Sequence, residues 1–201
     1  MMNTPSFYTE VPEITLRDPL AEFLGAAGQG ILTYGYLDAV KLAGHSCPTV
    51  AGAYLMTRRA LASLYGEALP ERGAIKVEFR DGQADGVTGV IANVVGLLTG
   101  AAQSGGFKGI GGRFERRNLL HFNADIAGEI RFTRLDGGGS VTVSYHPEQV
   151  PPSPAMKELM QKAMMGLASD AERLEFGRLW QERVARILID HRDEVVAIAG
   201  A

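Results

Sequence analysis

Between Ile75 and Tyr145 the chain gathers most of its strand-like sequence into one block, and that clustering restricts the fold more than any other feature. "AIKVEFRDG" alternates cleanly. Ile75, Val77 and Phe79 fall on one side and Lys76, Glu78 and Arg80 on the other, the pattern of a half-buried strand running into a turn. Three further runs follow, "NLLHFNA", "GEIRFTRL" and "SVTVSYH". The last two are joined by "DGGG", a hairpin signal with a loop longer than the tightest kind. Helical patterns lie on both sides of this block. Clustered strands between helices predict an α+β fold, with a central, mainly antiparallel sheet packed by helices, rather than alternating βαβ units.

The helices carry their own punctuation. After an arm or short strand of about fifteen residues, Asp18 reads as an N-cap with Pro19 at the first helical position. Gly28 and Gly30 should interrupt that helix, and "TYGYLDAVKLA" is open to either a helical or an extended reading. Cys47-Pro48 opens the clearest helix, with Val50, Ala51, Tyr54, Leu55, Leu61, Ala62 and Tyr65 mostly on one face and Gly66 as its stop. "GVIANVVGLLTGAA" reads as a buried helix. "QSGGFKGIGGRFERR" reads as a glycine-rich loop. Beyond the proline-rich "PEQVPPSP" come two helices, about 155–168 and 170–191, the second opened by a capping box from Ser169 to Glu172. Their apolar positions, among them Met160, Met164, Leu179, Trp180 and Val184, suit core packing or a dimer interface. The expected organisation is a core domain over residues 1–150 and a helical C-terminal extension over 151–201.

Composition narrows the functional classes. The 201 residues are 46% hydrophobic and 21% charged, enough for a sizeable core without covalent staples. Net charge is −3, and no long stretch is dominated by lysine and arginine, which argues against nucleic-acid or anionic-membrane partners. One cysteine excludes an internal disulfide and any multi-cysteine zinc module within the chain. The opening residues lack a basic region leading into an apolar run, so no signal peptide is expected. The uncharged run from Gly86 to Gln103 carries glycines and Asn93, and reads as a core helix rather than a membrane span. Together these features indicate a cytoplasmic protein.

The chemical centre by default is His45-x-Cys47, the one segment that places two soft-to-borderline ligands together. Imidazole and thiolate suit zinc, and also nickel, iron or copper. With Pro48 as the first helical residue, Cys47 becomes the N-cap, where the positive helix end and free backbone donors favour a thiolate. That environment serves metal binding and nucleophilic attack alike. A small buried cysteine beside a capping histidine gives the same pattern. His121 is the candidate for a distant third ligand or an acid–base partner, and a satisfied histidine on one sheet face is its plainer reading. Asp38 and Tyr36 offer oxygen ligands, while His146 and His191 read as surface or packing residues. Lys108, Arg113, Arg116 and Arg117 in the glycine-rich loop could cradle an anion with backbone donors. That loop matches neither the phosphate-loop nor the dinucleotide-binding glycine pattern.

"GHSCPTVAGAYLMTRRAL" resembles the opening motif of the FmdE family, named for one of the components of formylmethanofuran dehydrogenase. The family pattern, approximately H-G-H-x-C-P-G-x-x-x-G, is matched by Gly44, His45, Cys47, Pro48 and Gly52. Ala43 stands in place of its first histidine and Thr49 in place of the glycine after proline. A second block resembles the family through Leu98, Thr99 and Gly100, with Asn93 and Gly96 where an aspartate and a glutamine are usual. A third does so through Asn118 and Leu119. The resemblance runs from about Asp38 to Tyr145. It implies an α+β core, commonly a homodimer, with the histidine and cysteine in a cleft where metal can bind. Many members add a C-terminal zinc finger, and here a helical tail takes that position. The family name does not license the dehydrogenase reaction, which needs a molybdenum or tungsten cofactor on other subunits.

The expectation is therefore an FmdE-like protein binding a transition metal, zinc before others, through His45, Cys47 and His121, with Cys47 and His121 as the candidate catalytic residues. The rival readings are a thiol-dependent enzyme with Cys47 as nucleophile, and a non-enzymatic metal carrier or accessory subunit docking on a redox-enzyme partner.

Overall fold

Local sequence rules account for where most elements begin and end. The computed structural model describes residues 4–199, so the outermost residues of both expected segments, 1–3 and 200–201, lie outside the described residues. After a short 3-10 turn over Ser6–Thr9, β1 (Ile14–Arg17) pairs antiparallel with β2 (Ile31–Tyr34), Leu16 opposite Leu32. Between them α1 (Pro19–Phe23) starts as expected, with the Asp18 carboxylate accepting from the Leu20 and Ala21 amides. The ambiguous "TYGYLDAVKLA" is both things in turn. Its first residues finish β2, and α2 (Tyr36–Ala43) begins after Gly35.

The main helix, α3 (Pro48–Tyr65), has Cys47 as its N-cap and Gly66 as its C-cap. β3 (Ile75–Phe79) shows the strict buried-outward alternation read from its sequence, and α4 (Thr88–Thr99) follows. "NLLHFNA" contributes less than expected, since only Leu120–His121 is strand, β4, paired parallel to β3. After β4 the chain turns away, and Phe122 stacks on Phe79 instead of extending the ladder. β5 (Ile130–Arg134) and β6 (Ser140–Tyr145) form the expected antiparallel pair.

The C-terminal segment carries α5 (Met156–Met164) and α6 (Asp170–Ala185), the latter running into a π-helical turn at Arg186–Asp190. Beyond it lies an element absent from the sequence reading: β7 (Val196–Ala199), antiparallel to β6. The five-stranded sheet thus runs β4-β3-β5-β6-β7, antiparallel apart from β3 against β4, and the architecture is α+β. Among the described residues no helix is long and apolar enough to cross a membrane.

The core explains how the site is held. α3 packs against α4, β6 and β7, and its Val50, Ala53, Tyr54 and Met56 are fully buried. Val184, Ile187, Leu188, Val195 and Val196 join the same cluster, so the C-terminal segment helps to close the core that begins with Ile14 and Leu16. Gly52 permits the closest approach. A Cβ there would collide with the Tyr145 ring, so only glycine lets β6 press its tyrosine onto the first turns of α3.

Candidate functional site

The loop from α2 to α3 carries the His-x-Cys pair, and the surrounding elements grip it at Ser46. Cys47 has extended backbone angles, φ −149° and ψ 168°, as an N-cap requires. The amide of Val50 points at its Sγ across 3.5 Å. Cys47 is 8% exposed. The Ser46 carbonyl accepts from Trp180 Nε1 at 2.9 Å and from Gln181 Nε2 at 3.2 Å, both on α6. The Ser46 hydroxyl shares a 3.0 Å hydrogen bond with the Tyr36 hydroxyl. Tyr145 donates to the Pro48 carbonyl at 2.9 Å, tying β6 to the first residue of α3.

These phenols are committed to structure. Burial pushes the Tyr36 hydroxyl well above its ordinary value, against a smaller opposing effect of the Ser46 hydrogen bond. Burial does the same to Tyr145, with the charge of Arg183 opposing it. Both stay protonated at neutral pH; Tyr145 donates to the Pro48 carbonyl, and Tyr36 shares its hydrogen bond with the Ser46 hydroxyl, so neither serves as a base. The Tyr36 ring is also held edge-on by Tyr8 and Tyr54, at centroid distances of 5.2 and 5.7 Å.

His45 is exposed, and its Nδ1 lies 2.9 Å from the Ala43 carbonyl. A carbonyl only accepts, so Nδ1 carries the hydrogen of this bond and Nε2 of the neutral ring keeps its lone pair.

His121 is not brought to this pair. It lies exposed on β4, with Nε2 donating to the Asn118 carbonyl at 2.8 Å. β3 and β5 separate β4 from β6, the strand that touches the start of α3. At ordinary strand spacing this puts His121 roughly 14 Å across the sheet from β6. Asp38 is occupied as well, its Oδ2 accepting from the Gly35 amide at 2.9 Å to cap α2. His146 pairs with Glu148 and His191 with Glu194.

Among the described residues no group of three or more His, Cys, Asp or Glu gathers around one point. The donor types at His45 and Cys47 suit a zinc-class ion, but a His45–Cys47–His121 triad does not assemble within the chain.

Sequence reasoning did not find Ser46, Trp180, Gln181 and Tyr145 as the frame of the loop. Trp180 lies 134 residues from the carbonyl it binds, and no local pattern encodes such a contact. Compared with protein-family profiles, curated proteins and solved structures, the chain gives no match.

Proposed function

We propose that this is an FmdE-like, cytoplasmic metal-binding protein in which His45 and Cys47 form a two-donor site for a transition metal, zinc first. The observation that carries the reading is the His45 Nδ1–H bond to the Ala43 carbonyl. Histidines that ligate metal commonly donate their other ring N–H to a carbonyl or carboxylate, which fixes the tautomer and aims the free nitrogen. Two residues on stands a thiol at a helix N-cap. The Ser46 carbonyl between them is pinned by Trp180 and Gln181, which holds the connection in place. Such an ion, when bound, supplies Lewis acidity, and its remaining positions fall to water, substrate or a second copy of the chain. The reading includes a homodimer, as the family resemblance implies, with sedimentation velocity as the check; a redox-enzyme partner belongs to the rival reading of a non-enzymatic metal carrier or accessory subunit.

Metal content of the purified protein tests the site directly. His45→Ala and Cys47→Ser each lower the zinc bound per chain, whereas His121→Ala retains the wild-type amount. Equal content in all four proteins would sink the proposal.

The Val50 amide at the Cys47 sulfur supports a second reading, in which Cys47 is a nucleophile. The pH dependence of alkylation separates the two. A sulfur titrating near the free-thiol value of about 8.5 overturns the nucleophile.

A further inference from the structure

The glycine-rich loop is a folded wall, and it faces a cavity remote in sequence from Cys47. Ile110 and Arg113 exchange backbone hydrogen bonds, and the Arg116 amide donates to the Phe107 carbonyl at 2.8 Å. This folding sets Arg113, Phe114 and Arg116 opposite the end of β1 and the turn before β3. The cavity between them has a volume of about 440 Å³, within the usual range for a small-molecule site. Four arginines line it, Arg17, Arg72, Arg113 and Arg116, against two glutamates, Glu71 and Glu115. It shares no lining residue with the frame around Ser46 and Cys47.

The donors in this wall are unequally committed. Arg17 pairs with Glu22 at 2.5 Å. Arg72 is consumed by Asp18 and by the Leu97 carbonyl. Glu115 is neutralised by Arg117 at 2.8 Å. Two guanidinium groups keep donors in hand. Arg113 is exposed and stacks over the Phe114 ring at 4.7 Å. Arg116 is 6% exposed; its Nη2 binds Asp18 at 2.7 Å while its Nη1 is buried without an acceptor. Gly73 makes room for that nitrogen, because a Cβ there would overlap the guanidinium. A buried cationic donor with no protein acceptor is costly to keep unless water or an anion completes it, and here it stands in the wall of this cavity.

We propose that this cavity binds a small phosphate monoester with an apolar or aromatic body. Guanidinium groups line it from three separate stretches of chain, and the two that keep donors in hand, exposed Arg113 and buried Arg116, both come from the glycine-rich loop and approach from different depths. A tetrahedral phosphate offers acceptors in several directions at once, whereas a planar carboxylate is satisfied by one fork. Phe114, tilted against Phe23 at a centroid distance of 5.3 Å, gives the ester's body an aromatic surface beside the anion.

The test is calorimetric titration of the full chain at low ionic strength with phenyl phosphate, and with benzoate as the carboxylate bearing the same ring. Phenyl phosphate binds saturably and benzoate at least tenfold more weakly. Arg113→Ala weakens phenyl phosphate by about tenfold or more, the effect of one charge-assisted contact, without lowering the melting temperature. Glu115→Gln tightens it. No saturable binding of phenyl phosphate overturns the proposal, as does unchanged affinity in Arg113→Ala or benzoate binding equally well.

Discussion

Replacing Asp18 by asparagine keeps the shape of the side chain and removes its charge, which isolates what that charge does in the interior. Asp18 is 3% exposed and receives Arg72 at 3.0 Å and Arg116 at 2.7 Å while also capping α1. In Asp18→Asn the side-chain amide oxygen still caps the helix, so the ~1 kcal/mol of the cap is largely retained. What is lost is the counter-charge of Arg116, whose side chain is only 8% exposed, and the acceptor of Arg72, because an amide nitrogen then stands where Oδ2 was. Removing one partner of a buried ion pair costs about 3–5 kcal/mol, and the partial exposure of Arg72 at 20% puts the expectation near the lower end. Asp18→Ala, which also gives up the cap, costs ~1 kcal/mol more.

Urea unfolding at neutral pH, followed by far-ultraviolet circular dichroism, reads the difference as a shift in midpoint at constant slope. The pH dependence supplies a second check. Burial pushes the Asp18 carboxyl upward, but the Arg72 hydrogen bond, the Ala21 amide and the charges of Arg116 and Arg72 together outweigh it and hold the group below 3.8. A depressed folded-state value means the stabilisation is fully present above 3.8 and is lost as pH falls through the lower folded value. The stability gap between wild type and Asp18→Asn should therefore be constant near neutrality and close in strong acid. A loss below about 1 kcal/mol at neutral pH, or a gap indifferent to acid, would refute the reasoning.

Two further outcomes follow from the frame around Cys47. Gly52→Ala gains up to about 1 kcal/mol of helix propensity. It also drives a methyl group into the Tyr145 ring and strains that residue's bond to the Pro48 carbonyl, an overpacking cost of about 1–3 kcal/mol; a lowered melting temperature is expected, and a raised one contradicts the close contact. Trp180→Phe removes one of the two donors on the Ser46 carbonyl, costing about 1 kcal/mol and loosening α6 over the loop. Cys47 should then react faster with iodoacetamide under native conditions, and an unchanged rate would show that α6 does not control access to the sulfur.

Much of the fold is legible because it is written in short-range rules. The alternation of Ile75, Val77 and Phe79, the Asp18-Pro19 and Cys47-Pro48 helix starts and the capping box at Ser169 each depend on neighbours within a few residues, and the structure has each where the rule puts it. β7 was not legible, because Val196–Ala199 is too short to signal itself and becomes a strand only by taking the free edge of β6. His121 was legible as a strand residue facing away from Leu120. That it stands across the sheet from Cys47 depends on the strand order, which no local pattern reveals. Arg116 read as one charge on a glycine-rich loop. Only the folded chain pairs it with Asp18, 98 residues away, and leaves one of its nitrogens without an acceptor.

The sequence alone therefore determined the α+β class, the capped starts of α1, α3 and α6 and the His45–Cys47 pair at a helix start, since these follow from periodicity, capping and spacing along the chain. Tertiary structure decided which side chains surround the pair, that His121 is not among them, and that four arginines meet at one cavity. Those are contacts between residues far apart in sequence, and they are set by the packing of helices on a particular strand order rather than by any residue's neighbours.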